Sequence, residues 1–178
     1  MKPFSMIVSL VTLSFAACGT EAVTETTPQP SAEAAKIVLA EDPGAALSVP
    51  AAKQQGAQKQ VLVEGRVWEI TKGFAVMKLM DTSLEFCGQI NKEDKCSTPW
   101  DYCCETKETQ AANSLLVEVR GADGQPLQTP ALPSTRLLDR VKVRGELQKS
   151  EHGNFVLVAD GLFQVERPSV PDYVKWPQ

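Results

Sequence analysis

The chain has 178 residues, a formal charge of −4, five cysteines and a single histidine. A mildly acidic chain is poorly suited to phosphate backbones, which are held by clustered Lys and Arg, so nucleic acid is set aside as a partner. The lone histidine, His152, leaves no evident general base for a serine or cysteine nucleophile, and a non-catalytic role is expected.

In chain order, Lys2 comes first, followed by an apolar run over residues 6–17 and then Cys18. A short basic start, a brief apolar stretch and small residues before the cut describe a secretory signal. The run is shorter than the roughly 20 apolar residues that cross a bilayer. Phe15-Ala16-Ala17-Cys18 resembles the lipobox of bacterial lipoproteins, with Phe15 where Leu is more usual. That resemblance implies a signal peptide over residues 1–17 and lipidation of Cys18. With Gly19 rather than Asp after the cysteine, it also implies an outer-membrane address facing the periplasm. An ordinary signal followed by an incidental cysteine is the other reading. Acyl chains contribute about 0.8 kcal/mol per buried methylene, so a lipidated Cys18 makes the membrane the first partner. Losing residues 1–17, which carry Lys2 and no acid, moves the charge from −4 to −5.

Residues 18–59 are rich in Ala, Thr, Glu, Pro, Gln and Ser, with strings such as "TETTPQPSAEAA". So few large apolar side chains bury too little surface to offset the entropy of ordering, and the composition predicts a disordered linker. The short stretch over residues 36–40, "KIVLA", is the one place where an edge strand or a brief helix can form.

Residues 60–167 predict one compact domain built of five strands. "VLVEGRVWEI" over 61–70 alternates, and "FAVMKLM" over 74–80 follows a turn centred on Gly73, so the two read as a hairpin. "SLLVEVR" over 114–120 sets Leu115, Val117 and Val119 against polar neighbours and leads into the turn "GADGQP". "VKVRGEL" over 141–147 alternates most cleanly, and the turn "SEHGN" joins it to residues 154–165. No segment sustains a period of 3.6, so long helices are not expected. The first and fourth strands share Val-x-Val-x-Gly-x-apolar. A glycine inside a strand marks a bulge, a bend or a close backbone approach, which a small barrel needs in order to close. The expected fold is therefore all-β, a small five-stranded OB-like Greek-key barrel with a long Cys-rich loop between strands 2 and 3. A two-sheet sandwich is the alternative. Residues 168–178, "PSVPDYVKWPQ", read as a Pro-rich C-terminal tail.

The strings "CSTPWDYCCE", "AANSLLVEV" and "DRVKVRGEL…GNFVLVADGLFQV" resemble an uncharacterised family of small exported bacterial proteins, OB-fold-like, with a TPWDYCC motif. The resemblance spans about residues 60–167. It implies the barrel and the exported location, and it carries no activity.

The connection between strands 2 and 3 runs to about thirty residues and holds Cys87, Cys96, Cys103 and Cys104. Loops of that length usually carry a function or a staple. In an oxidising compartment an even set of cysteines pairs, here with three possible connectivities. Adjacent residues rarely reach disulfide geometry, which favours one crosslink from each of Cys87 and Cys96 into the Cys103–Cys104 pair. No cofactor is needed on that reading. The alternative is a thiolate site for zinc or copper, although C-x8-C-x6-C-C lacks the usual C-x2-C knuckles. A thiol redox protein is a further alternative, without a C-x-x-C motif to lower a thiol pKa. Met77 and Met80 stand an odd number of positions apart on a strand, so they face opposite ways and read as packing residues. Trp100 and Tyr102 are candidate contacts for a small ligand or an envelope protein, or else a plug and cover for the barrel end. The expected role is a lipid-anchored binding or scaffolding module of the cell envelope.

Overall fold

A computed structural model of the chain describes residues 31–90 and 97–169. The signal sequence, Cys18, Cys96 and nearly all of the C-terminal tail lie outside the described residues.

Five strands close into a barrel: β1 (Gln58–Ile70), β2 (Val76–Met80), β3 (Ser114–Glu118), β4 (Arg140–Lys149) and β5 (Phe155–Glu166). Their order around the barrel is β1-β2-β3-β5-β4, with β4 returning to β1. All pairs are antiparallel except β3–β5, which is parallel. This is the expected OB-like Greek-key barrel. The alternation seen in the sequence fills it, with Val61, Val63 and Val67 of β1, Met77 and Leu79 of β2, Leu115 and Val117 of β3, and Val141, Val143 and Leu147 of β4 in one core. Met80 is fully buried but lies outside that core. It faces the opposite way from Met77, as the odd separation predicts, so something must cover the outer surface of the barrel there.

The glycines of β1 and β4 sit where backbones approach closely. A Cβ on Gly145 would stand 2.0 Å from the Val158 carbonyl oxygen, beside a register shift between Arg144 and Gly145. One on Gly65 would stand 2.9 Å from Leu79 Cβ. The barrel coils tightly at these points because nothing projects from them. Gly73 and Gly153 adopt φ of 87° and 82° in the β1–β2 and β4–β5 turns, a region open to glycine and strained for other residues.

The composition-based expectation of a disordered linker over residues 18–59 fails from Ser31 onward. Two short helices form there, α1 (Ala32–Ile37) and α2 (Val49–Gln55). Ser31 and Ser48 cap them by accepting from the N–H groups of Ala34 and Ala51. Pro50 occupies the first turn of α2, and Gly56 ends it at φ 81°. Ala34 with Ile37, and Val49 with Ala52, fall at i,i+3 spacing and bury one face of each helix against the barrel.

The chain between these helices covers two strand edges. β2 pairs with β1 only from Arg66 on, and Leu47 bonds the earlier stretch, with its N–H on the Leu62 carbonyl (2.8 Å) and its carbonyl on the Glu64 N–H (2.9 Å). β3 reaches β5 only up to Val158, and beyond it the Leu39 N–H donates to the Leu162 carbonyl (2.9 Å). Buried Lys142 fastens the span between, donating to the Asp42 carboxylate (2.6 Å) and the Gly44 carbonyl (2.7 Å). Unpaired strand edges are templates for unwanted pairing, and this arm blunts both. Residues 31–57 are thus part of the domain.

Candidate functional site

The insertion between β2 and β3, residues 81–113, holds every described cysteine. Its two ends are tied together where the Asp81 N–H donates to the Asn113 carbonyl (2.8 Å). The buried Asp81 carboxylate accepts from the Val49 N–H (2.8 Å) and from the Ser83 hydroxyl (2.6 Å), which joins the insertion to the arm. Inside it lie a single turn, α3 (Cys87–Ile90), and a helix, α4 (Lys107–Asn113), capped by the Thr106 hydroxyl. The Cys87 N–H donates to the Asp101 carbonyl (2.8 Å) and the Gly88 N–H to the Pro99 carbonyl (2.8 Å). Those two rungs zip residues 87–88 against residues 99–101. A Cβ on Gly88 would lie 2.9 Å from Pro99 Cβ, so the close approach uses the glycine. Gln110, buried on α4, donates to the carbonyls of Tyr102 (2.8 Å) and Glu105 (3.1 Å). Lys53 of α2 reaches the carbonyls of Ala111 and Ala112 at the end of α4, and burial lowers its pKa. The described parts of the insertion, residues 81–90 and 97–113, therefore form a built layer.

That layer is what covers the outer face of β1 and β2. Arg66 and Trp68 point outward from β1, opposite to Val67 in the core, and Arg66 pairs across the strands with Met80. Tyr102, 1% exposed, sets its ring edge-on to Trp68 with centroids 5.8 Å apart. The Arg66 guanidinium lies 5.1 Å from the centre of the Phe86 ring, and Lys78 lies 4.9 Å from that of Trp68 while pairing with Glu69. Burial raises the pKa of the Tyr102 hydroxyl, and the nearby Arg66 charge opposes the shift. Among the described residues this hydroxyl and one Arg66 guanidinium nitrogen are buried without a hydrogen-bond partner.

The sequence offers Trp100 and Tyr102 either as contacts for a ligand or as plug and cover of the barrel end, and the structure gives them different surroundings. Tyr102 is a cover residue whose ring is occupied by Trp68. Trp100 is half-buried and has contacts of its own. The reason is local: the Tyr102 carbonyl is held by Gln110 and its N–H by the Asp101 carboxylate (2.8 Å), which turns the ring toward the sheet.

Cys87, Cys103 and Cys104 come together, their sulfurs all within 4.8 Å of one another. Cys87 is buried, and Cys103 and Cys104 are exposed. They stand as free thiols, where the sequence predicts crosslinks. The Cys87 and Cys103 sulfurs are 3.0 Å apart. Unbonded heavy atoms rest roughly 3.5–4 Å apart, so this pair is compressed. Two thiolates sharing one tetrahedral zinc at about 2.3 Å would stand about 3.8 Å apart, further than this pair. Burial, with the Cys103 contact behind it, pushes the Cys87 pKa up to about 12. Such a thiol stays protonated at neutral pH and is a weak nucleophile.

The cations on the barrel are largely matched to acids: Arg120 to Glu118, Arg140 to Glu64, Arg144 to Asp160 and Arg167 to Asp139. His152 is exposed in the β4–β5 turn. Neither Arg66 nor Phe86 is singled out by the sequence pattern. The only prior signal for Arg66 is its outward register on an alternating strand. No protein-family profile matches the chain, and no curated protein sequence matches it either.

Proposed function

We propose that this chain is a lipid-anchored protein of the bacterial cell envelope, whose OB-like barrel serves as a non-catalytic binding or scaffolding module. In this reading the signal over residues 1–17 exports it, and acylated Cys18 holds it to the outer membrane facing the periplasm. Residues 81–113 then form a disulfide-stapled layer that presents the recognition surface to an envelope protein or small ligand. The observation that carries the staple is the 3.0 Å approach of Cys87 and Cys103, a separation that side-chain rotation closes to a bond.

The reading is tested by expressing the full chain and a Cys18→Ser variant in a bacterial host with a radiolabelled fatty acid. Label and membrane fractionation in the first, both lost in the second, are expected. A Cys18→Ser variant that fractionates as the unaltered chain does overturns the anchor. Thiol counting and elemental analysis on the exported protein, purified without reductant or chelator, test the staple.

A second reading rests on the mutual approach of three cysteine sulfurs, a set that can hold zinc or copper(I) once deprotonated. It predicts titratable thiols and a stoichiometric metal in that same experiment.

A further inference from the structure

We infer that Cys87 and Cys103, and not Cys87 and Cys104, form the crosslink of the insertion, and that this bond latches the layer over the Arg66–Trp68 face of β1. The inference deepens the staple reading above by naming the pair and what it holds shut.

The geometry singles out one pair from two neighbouring exposed sulfurs. Cys103 is in sub-van-der-Waals contact with Cys87 at 3.0 Å, and it is the sulfur that contacts Cys87 in the three-cysteine cluster. A bond of about 2.05 Å requires these two sulfurs to move together by about 1 Å, which side-chain rotation supplies. The backbone beneath is already fixed. The rungs from Cys87 to Asp101 and from Gly88 to Pro99 bring residues 87 and 103 to the same end of the layer. Tyr102, immediately before Cys103, is the side chain pressed on Trp68, and Phe86, immediately before Cys87, is the ring stacked under Arg66. A bond between residues 87 and 103 therefore joins the two points at which the layer grips the sheet. No other described pair of cysteines flanks both grips.

The chemistry balances with an external protein disulfide as oxidant. Exposed Cys103, as thiolate, attacks one sulfur of that disulfide, and the other leaves as a thiolate. Cys87 then gives up its proton, attacks the Cys103 sulfur and displaces the second thiol. Two protons and two electrons leave the pair, and the oxidant becomes a dithiol. Reduction reverses each step and removes the covalent tie between the two grips, leaving them to the packing and the two rungs already present with free thiols.

The test uses the full chain in two paired variants, Cys18→Ser/Cys96→Ser/Cys104→Ser, which retains only Cys87 with Cys103, and Cys18→Ser/Cys96→Ser/Cys103→Ser, which retains only Cys87 with Cys104. Each is equilibrated in vitro with defined ratios of reduced and oxidised glutathione, with chelator present. The expected result is an equilibrium constant for ring closure at least tenfold larger for the first variant. Equal constants, a larger one for the second variant, or no closure in either overturns the inference. The latch is read on the unmodified chain, where chymotrypsin cleavage after Phe86 and Tyr102 should be slow when oxidised and at least tenfold faster after reduction. Equal cleavage rates in the two states refute the latch with no substitution in the chain. Because glutathione closes the ring in the test tube, the result is independent of export. A chain that closes this ring but is never lipidated or exported loses the functional reading above and keeps the latch.

Discussion

Replacing Ile37 by Ala separates the folded arm from the disordered linker that composition alone suggests. Ile37 is 7% exposed and belongs to the barrel core, although it lies twenty residues before β1 begins. Buried Ile→Ala substitutions cost about 2–5 kcal/mol, from lost transfer energy plus the cavity left behind. Ile37 sits at the end of a six-residue helix near the rim of the core, where neighbours can relax, so the lower half of that range applies. Alanine is also the better helix former, which returns a few tenths of a kcal/mol. The expected loss is about 2–3 kcal/mol. With a urea slope of about 2 kcal/mol/M, the unfolding midpoint should fall by about 1–1.5 M. The neighbouring Val38 is 44% exposed, and its change to Ala should stay within about 0.5 kcal/mol. Urea titrations of the three proteins, followed by circular dichroism, make the comparison. Coincident midpoints for wild type and Ile37→Ala would mean the arm is not part of the cooperative unit, and the account of the covered strand edges would fall with it.

Four further outcomes are expected. Gly145→Ala should destabilise by about 3 kcal/mol, the upper end for overpacking, because the Val158 carbonyl it would strike is backbone and cannot rotate away; a change under 1 kcal/mol in urea would show that β4 and β5 can part freely there. Tyr102→Phe should stay within about 1 kcal/mol of wild type, since the hydroxyl it removes is buried without a partner among the described residues, whereas Tyr102→Ala should cost about 3 kcal/mol or more; equal losses would assign the cover to the hydroxyl and not the ring. The Asp42 carboxyl is held below its ordinary 3.8, first by Lys142 and then by the Gly44 N–H, so its contribution is present above that value and is lost as pH falls through the folded-state pKa; Asp42→Asn should flatten the acid limb of a stability–pH curve, and an unchanged limb would count against the fastening. In the reduced protein Cys87 keeps its proton between its ordinary 9.0 and about 12, so this source of stability is whole below pH 9 and is lost as pH rises toward 12; alkylation with iodoacetamide at pH 8, mapped by mass spectrometry, should modify Cys87 about 100-fold more slowly than Cys103, and comparable rates would argue against its burial.

The barrel was readable in the sequence because its strands obey a strict period. Alternating valines in β1 and β4 must face one way, and Gly65 and Gly145 interrupt them where only a missing side chain lets two backbones meet. The arm escaped because composition averages over its whole length. Its buried residues include alanines, Ala34 and Ala52, which contribute little to any hydrophobic count and yet pack fully when the opposing surface is close. The local signals were present in Ser31, Ser48 and Pro50 and in the C-terminal Gly56, all at helix ends too short to show a period. Helix α4 was hidden for a related reason: "KETQAAN" is polar because its one inward residue, Gln110, is buried to bond the Tyr102 backbone. The proximity of the cysteines could be read from spacing. Their partition could not, since it depends on which side of the sheet the insertion folds back against.

That side has consequences for where recognition can occur. OB barrels bind their ligands across the face of strands 2 and 3, flanked by the β1–β2 and β4–β5 loops. In this chain those two loops are tight turns built around Gly73 and Gly153, with little surface to offer. The neighbouring outer face of β1 is taken by the insertion, through Tyr102 on Trp68 and Phe86 on Arg66. The proposed binding role therefore falls either on the outward surface of the insertion, where Cys103 and Cys104 are exposed, or on the strands beneath it. The two places respond oppositely to the latch. A partner bound to the insertion needs the layer ordered, so reduction should weaken its binding. A partner bound to Arg66 and Trp68 needs the layer lifted, so reduction should strengthen it. The sign of that change, measured on one chain in two redox states, assigns the surface without a substitution.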